Sequence, residues 1–96
     1  MIATNDRFID MYEVRQKNAQ EGFHWFEPDT MRFFRSRVGD TLYKGRYFVS
    51  SEQGPNMPRR WTVRVALPDG RIRDVGGFQR FSSWRNAHRY IEGVLQ

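Results

Sequence analysis

Arg59-Arg60-Trp61-Thr62-Val63-Arg64-Val65-Ala66-Leu67-Pro68-Asp69-Gly70-Arg71-Ile72-Arg73-Asp74-Val75 is the stretch on which the fold turns. Trp61, Val63, Val65 and Leu67 alternate with Arg60, Thr62, Arg64 and Ala66. That two-residue period belongs to a strand with one apolar and one polar face. The pattern predicts strands over Arg59–Leu67 and Arg71–Val75, joined by a tight hairpin turn at Pro68-Asp69-Gly70. It also predicts one wet, basic sheet face. The register across the hairpin stays open: a bulged three-residue loop sets Arg64 opposite Asp74, whereas a four-residue loop sets it near Arg73. The first pairing neutralises charge and the second concentrates it.

Outward from the hairpin, Tyr43–Glu52 reads as a further strand, and Gln53–Pro58, with Gly54-Pro55 and Pro58, as an exposed connection. Gly76-Gly77 permit a sharp bend, after which Phe78-Gln79-Arg80-Phe81 leads into a final helix capped by Ser82 or Ser83. Trp84, Ala87, His88, Ile91 and Leu95 recur there at helical spacing, leaving Arg85, Arg89 and Glu92 on the outside. Near the amino terminus, Phe8, Met11, Tyr12 and Ala19, with Ile9 alongside, predict a helix from about Asp6 to Glu21, capped by Asn5 and stopped by Gly22. Phe23-His24-Trp25-Phe26 reads as a short strand. Pro28 then breaks the chain, and Asp29 or Thr30 caps a short helix through about Arg37, ended by Gly39. On it Met31 and Phe34 share a face that Arg32, Arg35 and Ser36 largely avoid. The expected whole is one α+β domain over residues 1–96: an antiparallel sheet of three to four strands, the amino-terminal and carboxy-terminal helices packed on one face, and the Met31 helix at an edge.

The 96 residues suit a single domain. Eight Phe, four Tyr and three Trp supply a large-side-chain core, which argues against a disordered chain. With no cysteine, disulfides, thiolate zinc sites and cysteine nucleophiles are excluded. Met1–Asp6 lacks a signal-peptide profile and no apolar run reaches the roughly 18 residues of a membrane span, so a cytoplasmic protein is expected.

Charge carries the functional signal. Of sixteen basic residues only Lys17 and Lys44 are lysines, leaving fourteen arginines, and the formal net charge is +5. Arginine interleaves with aromatics at Met31–Arg37, Arg46-Tyr47-Phe48, Arg59-Arg60-Trp61, Arg80-Phe81 and Trp84-Arg85. Planar guanidinium groups stack on rings and bind phosphates or carboxylates bidentately, which points to a polyanion or an acidic protein surface. The bland alternatives are arginines balanced by the eleven acidic residues and aromatics that merely fill the core. The candidate surface has three parts: Arg32, Arg35 and Arg37 on the short helix; Arg60, Arg64 and Arg73 on the wet sheet face; Arg85 and Arg89 on the last helix. Tyr47 or Trp61 would stack a base if nucleic acid binds.

Chemistry is sparse beside this. His24 and His88 lie far apart without zinc-ligand spacing, and no GxxxxGK[ST] loop is present. Ser50-Ser51-Glu52 and Asp29-Thr30 carry acid and base groups, yet no nucleophile, base and orienting group assemble from them. No enzyme activity, metal or cofactor is expected.

Asp29-Thr30-Met31-Arg32-Phe33-Phe34-Arg35-Ser36-Arg37, Tyr47-Phe48-Val49-Ser50-Ser51-Glu52, Arg60-Trp61-Thr62-Val63-Arg64 and Gly76-Gly77-Phe78-Gln79 together resemble a family of small proteins without established activity, carried by phages, prophages and plasmids. The resemblance spans Trp25 to Ala87 and implies genetic context only. Small proteins of such elements work by occupying surfaces on host machinery, so it implies a host-takeover or anti-defence inhibitor, anti-CRISPR proteins included. The expected function is a non-enzymatic binding protein that blocks or modulates a host nucleic-acid-handling complex; the alternative is a regulatory protein binding DNA or RNA directly.

Overall fold

A computed structural model describes residues 7–33 and 35–95. The elements in chain order are α1 (Met11–Gln20), α2 (Pro28–Phe33), β1 (Arg37–Val38), β2 (Tyr47–Glu52), β3 (Arg60–Ala66), β4 (Ile72–Val75) and α3 (Trp84–Gly93). The strands form one antiparallel sheet in the order β1-β2-β3-β4. This is the expected α+β class. No helix among the described residues is long and apolar enough to cross a membrane.

The hairpin takes the three-residue loop. Ala66 pairs with Ile72 and Arg64 with Asp74, and Leu67 N–H donates to the Arg71 carbonyl at 2.9 Å. Asp69 accepts from the Arg71 backbone N–H at 3.1 Å and from Arg71 Nε at 2.7 Å, which holds its carboxyl below the ordinary range. Gly70 closes the loop at φ +96°, and a Cβ there would lie 3.0 Å from the Lys17 carbonyl oxygen. Helix α1 therefore sits directly on the turn. Asn18, almost fully buried, joins the two, donating to the Gly70 carbonyl at 2.8 Å while its Oδ1 accepts from Trp25 N–H at 2.8 Å.

Strand parity sorts the core into two layers. Val49 and Val63, paired across β2 and β3, pack with Tyr43 against Ala87 and Ile91 of α3. On the reverse face Phe48 and Ala66 pack against Met11 and Val14 of α1. The helices thus take opposite faces, correcting the expectation that both cover one. The reason lies in β2: Phe48 and Val49 are both buried, and neighbouring strand residues point to opposite sides, so each face needs a cover. Each such side chain contributes about 1.5–3 kcal/mol.

Several local expectations change as well. Helix α1 starts at Met11, where the Asp10 side chain accepts from Glu13 N–H at 3.0 Å; the proposed Asn5 cap and Asp6 start lie outside the described residues. Its buried stripe is Met11, Val14 and Asn18, whereas Tyr12 stays 68% exposed. The segment Phe23–Phe26 is not a strand. His24 turns it at φ +58°, and Trp25 and Phe26 pack on Phe48 with centroid distances of 5.8 and 5.9 Å. Helix α2 stops at Phe33, Arg35 adopts φ +51°, and Arg37–Val38 becomes the edge strand β1; Phe34 lies outside the described residues. Ser83 caps α3, accepting from Asn86 N–H, and Lys44 Nζ donates to the carbonyls of Ile91 and Leu95 at its far end. A cation there complements the negative end of the helix dipole.

Replacing Gly70 with alanine is expected to destabilise the domain by more than about 1 kcal/mol, because the side chain meets both a positive φ and the α1 backbone. The same change at Gly39, which has open space around its Cα, is expected to stay within about 0.5 kcal/mol. Urea denaturation of the two variants checks the contrast.

Candidate interaction surface

The structure divides the arginines between internal and external duties. Arg60, Thr62 and Arg64 share a sheet face with Ser50 and Glu52, and that face is not wet. Glu52, Ser50 and Thr62 are each 0% exposed. Glu52 Oε2 accepts from Ser50 Oγ at 2.5 Å and from Arg64 Nη2 at 3.1 Å; Oε1 accepts from Thr62 Oγ1 at 2.8 Å. Arg64 Nε donates to Ser50 Oγ at 3.0 Å. Its guanidinium carbon lies 5.1 Å from the Trp25 ring centroid and 5.4 Å from that of Phe78. The Gly76-Gly77 bend folds the following loop over this network, where Gln79 N–H donates to Thr62 Oγ1 at 2.7 Å. Arg60 holds the same loop down, donating to the Gln79 and Arg80 carbonyls at 2.9 and 2.6 Å. Two of the three arginines expected on an open basic face are therefore structural: Arg64 neutralises a buried carboxylate and Arg60 ties a loop.

A different group of arginines gathers at the end of the sheet. Past Phe33 the chain turns with Arg35 N–H donating to the Arg32 carbonyl and Ser36 N–H to that of Met31. This turn delivers Arg35 and then Arg37 to the β1 edge. Arg37 pairs with Ser51, and Arg59, just before β3, donates to Ser51 Oγ at 2.8 Å. Arg32, Arg35, Arg37 and Arg59 together line an open groove of about 490 Å³. Arg32 has an exposed partner in Asp29 at 3.0 Å, whereas Arg35 and Arg37 make no ion pair among the described residues. Partial burial first, then the charges of Arg37 and Arg35, lower the Arg59 pKa, with Glu52 acting in the opposite sense. Three guanidinium groups repel one another here, and an anion seated among them relieves that repulsion.

The remaining expected residues lie elsewhere. Tyr47 is half-buried and packs with Trp61 against the α3 cluster, so neither offers an open stacking platform. Arg73 pairs with Val65 on the outer strand β4 and so points to the opposite face from Arg60 and Arg64, correcting its expected place beside them; it is exposed there, as are Arg85 and Arg89 on α3. The same α3 side holds Tyr43, whose hydroxyl lies 3.1 Å from His88 Nδ1; burial, followed by the Glu92 carboxylate, pushes its pKa above the ordinary value. Among the described residues no three His, Cys, Asp or Glu gather as a metal ligand set.

Sequence reasoning missed Arg59 as a member of the cluster. Its signal was phase: it neighbours Arg60 along a strand direction and so points the other way, toward Ser51. It also missed a second groove of about 600 Å³, lined by the apolar Trp25, Met31, Phe33 and Phe78 together with Arg64 and by Asp29, whose carboxylate pairs with Arg32. Met31 and Ser36 belong to both grooves, so the basic and apolar depressions adjoin.

A family model described as "Family of unknown function (DUF7447)" matches residues 10–92. No curated protein and no solved structure matches the chain.

Replacing Arg64 with alanine leaves Glu52 buried without its counter-ion and is expected to cost about 3–5 kcal/mol. Replacing the exposed Arg85 is expected to change stability by less than about 0.5 kcal/mol. Guanidinium chloride unfolding followed by tryptophan fluorescence separates the two.

Proposed function

The chain belongs to this family of unknown function, and we propose that it is a non-enzymatic binding protein whose Arg32, Arg35, Arg37 and Arg59 seat on an acidic surface of a host nucleic-acid-handling protein complex. The resemblance of its Asp29–Arg37 and Tyr47–Glu52 phrases to proteins of phages, prophages and plasmids supplies the setting. In that setting the protein inhibits or modulates host machinery, as host-takeover and anti-defence factors do, anti-CRISPR proteins among them.

The observation that carries this reading is the meeting of Arg35, Arg37 and Arg59 around one groove, where among the described residues none of the three makes an ion pair with a carboxylate. Glu52, which acts on Arg59, is buried and already bound to Arg64. Arginine forks held on a paired strand and a hydrogen-bonded strand start bind carboxylates at low entropic cost. A protein partner is favoured over duplex nucleic acid by extent. A duplex binder commonly neutralises about 6–10 phosphates along a track. Here Arg60 and Arg64, which would have prolonged the track, are spent inside the fold. The adjoining apolar groove adds the kind of anchor that protein interfaces use.

Changing Arg32, Arg35 and Arg37 together to alanine is expected to leave the fold intact, since all three side chains are exposed. Affinity for the partner is expected to fall at least about 100-fold, roughly 2.7 kcal/mol. The check is affinity capture from host lysate with both forms, beside anisotropy titrations with single- and double-stranded DNA and RNA at two salt concentrations. A captured protein lost by the triple variant supports the proposal. Tight, salt-steep nucleic-acid binding, or full capture by the variant, overturns it.

A further inference from the structure

Resting on that binding reading, we infer that the partner is engaged through a short acidic segment carrying one bulky apolar side chain, which enters the groove between Phe33 and Phe78 while its carboxylates meet Arg35, Arg37 and Arg59. Three features of the groove point to this occupant. Its volume, about 600 Å³, falls within the roughly 300–1,000 Å³ of sites that enclose a ligand group. Phe33 is 78% exposed and Phe78 44% exposed, so both present apolar surface that an inserted side chain would cover. Its wall is continuous with the basic groove through Met31 and Ser36, so one extended segment spans both.

The floor sets the chemistry more narrowly. Arg64 is tied down by Ser50 and Glu52 through Nε and Nη2, and its side chain is 11% exposed. Among the described residues nothing accepts from Nη1, which leaves that nitrogen to donate to a carbonyl or carboxylate of the incoming segment. The guanidinium is rigid, since two rings and two hydrogen bonds hold it. Trp25 and Phe78 each give one ring face to Arg64. The neighbouring charge then selects for acidic flanks: a basic segment would place like charges against Arg35 and Arg37.

The test uses fluorescein-labelled peptides of about twelve residues, glutamate-rich on one side of a central position that carries Trp, Phe, Leu, Ala or Ser in turn. An oligothymidylate of similar length serves as comparison. Anisotropy against the full chain, its Phe33→Ala variant and its Arg35→Ala/Arg37→Ala variant is the readout. The Trp, Phe or Leu peptides are expected to bind at least about tenfold more tightly than the Ala and Ser ones, roughly 1.4 kcal/mol. Phe33→Ala is expected to erase that difference, and the arginine variant to weaken every peptide. Peptide binding that depends on the arginines but ignores the central residue and Phe33 overturns this inference while leaving the binding reading standing. Binding of neither overturns this inference and leaves the binding reading to the lysate capture; binding of oligothymidylate in place of the peptides overturns both.

Discussion

A carboxylate with no access to water organises this protein. Taking an ion out of water costs several kcal/mol, so Glu52 must be met by donors from every side it presents. Ser50, Thr62 and Arg64 meet it, all from one face of two adjacent strands. Because strand side chains alternate, a one-residue slip between β2 and β3 would carry the partners to the opposite face and strand the charge among valines. The network therefore acts as a register lock between the two central strands, at one end of their pairing. Its cover is equally demanding: Arg64 recruits Trp25 from the chain before α2 and Phe78 from the loop after β4, two segments without regular structure of their own.

The two faces of the sheet consequently do different physical work. Toward α3 the layer is aliphatic and aromatic, with Val49, Val63, Ala87 and Ile91 at its centre, and Lys44 secures the helix end. Toward α1 the layer is apolar at one end, around Phe48, and ionic at the other, around Glu52. The seam between the apolar and ionic ends is where Trp25 sits. This division explains the surface. Arginines near the ionic end on the covered face are consumed by the fold, while Arg37 on β1 and Arg59 at the start of β3 line a groove at the surface.

Much of the architecture was legible along the chain. The alternation from Arg60 to Ala66, the Pro68-Asp69-Gly70 turn and the Ser83-capped stripe ending in Ile91 translate directly into β3, its hairpin and α3. The strand expected at Phe23–Phe26 failed because aromatic residues look alike whether they pair in a sheet or pack onto one; Asn18 and a left-handed His24 decide for packing. The wet face failed for a related reason. Arginine, threonine, serine and glutamate alternating with valine spell a solvated surface and a buried ion-pair network in the same letters. Of the arginine cluster, Arg32, Arg35 and Arg37 were legible because they are close in sequence. Arg59 was not, since it joins them only through the pairing of β1 with β2 and its own bond to Ser51.

The amino-acid order alone determined the α+β class, the hairpin and its turn, the carboxy-terminal helix and the excess of arginine, because each follows from local periodicity, turn chemistry or composition. Only the tertiary structure decided that the helices sit on opposite faces, that Arg60 and Arg64 serve the interior, and that Arg37 and Arg59 share a groove with Arg32 and Arg35. Those outcomes depend on which distant segments cover a given polar face, and the free energy of burying a charge is settled by partners gathered across the fold, not by neighbours along the chain.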